Sequence, residues 1–121
     1  MVDRDEVDEF LNELKQKIKV FGIAYRPRDQ HIEGLSELGI MPGQREDLIL
    51  NLKPENYSTG PNEDTYDPSK PHYYEFGIPL KHQEIYVKLN IGLPNKSIDC
   101  MSFHLAKRKM SFPLKTSENE K

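Results

Sequence analysis

The chain has 121 residues, of which 31% are charged, with a formal net charge of −3 and a single cysteine, Cys100. That length fits one domain with one core; the lone cysteine excludes an internal disulfide and any CxxC metal or redox motif, and the acidic sum argues against indiscriminate coating of nucleic acid. The charge is uneven: residues 1–80 carry 9 Lys and Arg against 16 Asp and Glu, and residues 81–121 carry 8 against 4, so a local basic face can still hold phosphates.

Asp3 opens a helix signal, with Glu6 at capping-box spacing. Val7, Phe10, Leu11, Leu14, Ile18 and Phe21 then form one apolar stripe, and Gly22 ends it, so the spacing predicts an amphipathic helix over residues 4–21. Packing on a sheet is the plain reading of that stripe; docking a partner is the sharper one. Residues 23–28 read as short and irregular, with Arg26 and Arg28 flanking Pro27 as candidate phosphate contacts. Asp29 can cap a second helix reaching Leu38, with Gly39 at its C-cap. Pro42 can start a third, which Pro54 should stop near Leu52.

Residues 54–71 hold Pro54, Gly60, Pro61, Pro68 and Pro71 and read as a long polar loop, anchored on the core by Tyr57. Tyr66 is a second aromatic point, suited to base stacking. Strand character resumes at His72, where Tyr74, Phe76 and Ile78 alternate with Tyr73, Glu75 and Gly77. Lys81-His82-Gln83 then makes a tight connection.

The most informative stretch is 84–104. Ile85, Val87, Leu89 and Ile91 alternate with Tyr86, Lys88 and Asn90, which is the period of a strand with one apolar and one polar face. Turn residues fill 92–97, and a second run follows from Ile98 to His104. Register follows from the apolar pattern: with Tyr86 opposite His104, Lys88 opposite Ser102 and Asn90 opposite Cys100, Met101 and Phe103 point to the core. Asp99 is then left on the core side. Lys107-Arg108-Lys109 is by itself a solvated turn or a phosphate contact, and residues 110–114 read as an edge strand or tie-down. These elements describe an α+β fold, N-terminal helices packed on an antiparallel β-sheet meander, as one domain over 1–114 with a polar tail over 115–121. The acidic N-terminal stretch has no apolar run of signal length, which points to the cytoplasm and away from a membrane.

At Tyr86-Val87-Lys88 and Ser102-Phe103-His104, and in order and spacing from Asp47 through Asn56-Tyr57 and Tyr74-Glu75-Phe76-Gly77, the sequence resembles the MqsR toxins. These are small ribonucleases of the RelE-like fold in type II toxin–antitoxin systems. The resemblance implies a metal-independent mRNA endoribonuclease (mRNA interferase) with no cofactor, an mRNA substrate and a cognate antitoxin protein. It places Tyr86 at the family's catalytic tyrosine and His104 where the family has a catalytic lysine. The family's other lysine maps near Thr59, and its glutamine near Tyr74 or Glu75.

Cleavage of RNA without metal needs a base for the 2′-hydroxyl, an acid for the 5′-oxygen, and donors around the phosphate. The expected catalytic set is His104 as acid or base, Tyr86 as proton donor or base partner, and Lys88 as phosphate clamp. The expected RNA-binding set is Lys107, Arg108, Tyr74, Arg26 and Arg28. His31, His72 and His82 show no ligand spacing, so no metal site is expected. A binding module of the same fold without catalysis is the alternative.

Overall fold

The computed structural model describes residues 2–26, 36, 39–80 and 83–115. Helix α1, Arg4–Phe21, begins where Asp3 accepts a hydrogen bond from the Glu6 amide at 2.9 Å, and ends at Gly22, whose positive φ of 77° closes the last turn onto the Ile18 carbonyl. Its stripe of Val7, Leu11, Leu14 and Ile18 is buried. The expected second helix, Asp29 to Leu38, lies largely outside the described residues. Helix α2, Gln44–Leu50, contributes Ile49 to the core and follows a turn at Pro42.

Five strands follow the order β1-β5-β4-β3-β2: β1 Ile23–Tyr25, β2 Tyr57–Asn62, β3 Tyr73–Leu80, β4 Gln83–Asn90 and β5 Ile98–Leu105. Two of these correct the sequence reading. The segment after α1 is not irregular: β1 pairs parallel with β5, which makes the sheet mixed rather than a pure antiparallel meander. The segment after Pro54 is not one long loop: a single 3₁₀ turn, Pro54–Asn56, leads into β2, an irregular edge strand on β3. Proline and glycine hid it, and an edge position tolerates both, because the outer backbone needs no ladder partner. Gly60 is required there, since it lies at φ 129° and an added Cβ would come within 2.9 Å of the Tyr74 Cα.

One face of the sheet packs under α1. Ile85, Val87 and Leu89 of β4, Ile98, Cys100 and Phe103 of β5, and Phe76 of β3 are buried with the helix stripe. Tyr86 opposes His104 and Lys88 opposes Ser102, in the expected register. Beyond Lys88 the expected pairing fails: Leu89 opposes Cys100 and Asn90 opposes Asp99, because Met101 is an extra residue on β5. That β-bulge keeps Ile98 and Cys100 in the core and carries Asp99 to the polar face, resolving the misfit the straight register left. Met101 is buried, yet its sulfur meets Asn90 Nδ2 at 3.5 Å.

Among the described residues, no helix packs on the polar face. After β5, the chain turns back at Ala106, whose amide bonds the Glu84 carbonyl, and Met110 donates its amide to the Glu84 carboxylate at 3.1 Å. Residues 110–114 form no strand; they tie the chain down across Gly77, where a Cβ would lie 2.6 Å from the Phe112 ring and 2.8 Å from the Met110 sulfur. Among the described residues no helix is long and apolar enough to cross a membrane.

Candidate functional site

Alternation alone sends Glu75, Gly77, Tyr86, Lys88, Ser102 and His104 to the uncovered face, and the ladder makes them neighbours. Glu75 opposes Lys88, Gly77 opposes Tyr86, and Tyr86 opposes His104. Because Gly77 has no side chain, the tied-down segment can cross there and wall one side of a groove. The groove has a volume of about 430 Å³ and is lined by Thr59, Glu75, Tyr86, His104, Met110 and the basic run Lys107-Arg108-Lys109.

On its floor, the Tyr86 ring lies 5.1 Å from the His104 ring, centroid to centroid. The Tyr86 hydroxyl donates a short hydrogen bond to Glu75, whose other carboxylate oxygen accepts one from the Thr59 hydroxyl at 2.5 Å. Burial, and then the bond to Glu75, push the Tyr86 phenol well above its ordinary pKa. It therefore stays protonated at neutral pH: of the two roles open to it, donor is the one its surroundings permit. The Nδ1 atom of His104 lies 2.8 Å from the Leu105 carbonyl oxygen. A carbonyl can only accept, so Nδ1 is the nitrogen that donates there.

Of the sequence-predicted residues, Tyr86, His104, Lys107 and Arg108 meet at this groove. Lys88 stands on the same face outside the lining, with its Nζ 4.2 Å over the Tyr73 ring. Tyr74 is on the opposite, helix-covered face, stacked on Phe10 at 3.9 Å between centroids, because its neighbours Tyr73 and Glu75 take the polar face. Arg26 is at the far end of the sheet, forked onto Asp99 with bonds of 3.2 and 2.7 Å. Arg28 lies outside the described residues.

Sequence reading assigned Glu75 and Thr59 no chemistry of their own, although the resemblance maps the family's glutamine near Tyr74 or Glu75 and its other lysine near Thr59. A signal for Glu75 existed: a two-residue connection after Leu80 pairs Leu80 with Gln83, and counting back along both strands sets Glu75 beside Lys88 and diagonal to Tyr86. For Thr59 the signal was the resemblance alone, since its strand was hidden. Among the described residues, no group of three or more His, Cys, Asp or Glu is arranged to hold a metal. The chain matches no protein-family model, no curated protein and no solved structure.

Proposed function

We propose that the chain is a metal-independent endoribonuclease: an mRNA interferase with a RelE-like domain, acting in the cytoplasm as the toxin of a type II toxin–antitoxin pair. The observation that carries this reading is the groove itself, where an imidazole and a protonated phenol share a floor beneath three basic side chains. The sequence resemblance at Tyr86-Val87-Lys88 and Ser102-Phe103-His104 points the same way.

The 2′-oxygen of the substrate loses its proton and attacks the adjacent phosphorus. The bond from phosphorus to the 5′-oxygen breaks, and that oxygen is protonated as it leaves. The products are a 2′,3′-cyclic phosphate and a 5′-hydroxyl end. His104 exchanges one of these protons through Nε2, and the Tyr86 hydroxyl turns its one proton from Glu75 toward the crowded phosphate as charge accumulates there. Lys107 and Arg108 hold flanking phosphates. Lys88, next along the strand face, clamps a phosphate once its Nζ swings from the Tyr73 ring. The antitoxin partner is a protein that lays an acidic segment over the basic rim.

The test is incubation of the purified protein with mRNA in EDTA, with the ends mapped chemically. Cyclic phosphate and 5′-hydroxyl ends, lost in a folded His104→Ala protein, are expected. RNA binding without cleavage, unchanged by His104→Ala, would mark a binding module instead.

A further inference from the structure

A carboxylate on the floor of a phosphate-binding groove is out of place unless it takes part in the reaction. Glu75 repels the substrate it must face, and its position is not forced by an ion pair: its partners are two neutral hydroxyls, those of Thr59 and Tyr86. From this we infer that Glu75 is the general base of the groove, taking the 2′-hydroxyl proton, and that His104 is the acid that protonates the leaving 5′-oxygen. The inference rests on the ribonuclease reading above.

Three observations support it. An ionised carboxylate has about four acceptor positions, and the two hydroxyls use one on each oxygen, which leaves capacity to accept a proton. Those two donors also fix the carboxylate's orientation before substrate arrives. Glu75 and His104 lie on strands separated by β4, and Glu75 sits two residues off the row of Gly77, Tyr86 and His104; at about 4.8 Å per strand and about 3.4 Å per residue their backbones are roughly 12 Å apart, with the Tyr86 phenol between them. That spacing lets one phosphodiester lie between base and acid, which in-line displacement requires. Proton uptake also removes the negative charge that repels the phosphate, so the repulsion is present in the ground state and relieved as the reaction proceeds.

The experiment is the pH profile of cleavage of a single-stranded oligoribonucleotide with one scissile step, for the parent, Glu75→Gln, Thr59→Ala and His104→Ala, each checked for an intact melting transition. Glu75→Gln should lower kcat by roughly 100-fold or more and abolish the acidic limb. Thr59→Ala removes one donor from the carboxylate without touching the groove's proton carriers. It should lower kcat, because the carboxylate loses one of the two donors that aim it, and leave KM near the parental value. His104→Ala should abolish the alkaline limb. An acidic limb retained in Glu75→Gln at the parental rate, or a parental kcat in Thr59→Ala, overturns the assignment of Glu75 while leaving the ribonuclease reading intact. A parent that produces no cyclic phosphate ends overturns both.

Discussion

The uncovered face of the sheet holds two polar clusters, and they differ in how their charges are satisfied. At the turn end, Arg26 forks onto Asp99, Asn90 donates to the same carboxylate at 3.2 Å, and Asn90 also accepts from the Gly92 amide at 2.8 Å. Every charge there has an opposite charge beside it, and the amide ties the bulge to the hairpin turn. At the groove end, the carboxylate of Glu75 is held by neutral hydroxyls, while Lys107, Arg108 and Lys109 are exposed and form no ion pair among the described residues. The first arrangement is complete within the chain. In the second, the opposite charges remain apart and face the same groove, which under the proposed function leaves the cations for a phosphate.

That contrast should show most strongly in His104→Ala. With the melting temperature kept, cleavage should fall roughly 10²- to 10⁴-fold, the range for a lost proton-transfer group, as read by initial rates on mRNA in EDTA. Asp99→Ala should do the reverse. Removing a half-buried partner of Arg26 and Asn90 should cost about 2 kcal/mol in urea unfolding, with cleavage by the folded protein unchanged. Gly77→Val sharpens the comparison by moving the groove wall alone. The added methyls displace Phe112 and Met110, costing about 1–2 kcal/mol and raising KM more than it lowers kcat.

Alkaline pH should act on stability in a graded way. Burial pushes the Cys100 thiol from 9.0 up to about 12 and the Tyr25 phenol from 10.0 up to about 12, and Tyr86 is raised further. In each case the unfolded chain loses its proton first. Stability is therefore complete below about pH 9 and declines as pH rises toward 12. A melting temperature flat from pH 7 to 8.5 and falling from pH 9 to 11 is expected, and Cys100→Ala should flatten the first part of that fall. The smallest effect is at the rim: Lys107→Ala and Arg108→Ala should each weaken RNA binding by about 0.5–1 kcal/mol and reduce its salt dependence, as exposed cations do.

Much of this arrangement was legible in the sequence, and where it was not the reason is physical. The period-two pattern of Ile85, Val87 and Leu89 against Phe103 fixed the register at Tyr86 and His104, because a slip would expose Phe103 to water. The same pattern could not show Met101 as an extra residue, since a bulge leaves no mark beyond one polar residue out of phase, here Asp99. Strand β1 is three residues long and pairs in parallel with a segment more than 70 residues away, so nothing local announces it. Glu75 went unassigned because its meaning comes from the neighbours on β2 and β4, and β2 was concealed by Gly60 and Pro61. Tyr74 was placed with the RNA-binding residues on resemblance, although its alternation with Glu75 already put it on the apolar side.

The most direct measurement compares His104→Ala and Asp99→Ala with the parent on one mRNA in EDTA, at matched folded fractions. Loss of cleavage in the first with full retention in the second is the expected result. Parental cleavage by folded His104→Ala would contradict the division of the sheet face into a structural end and a reactive end.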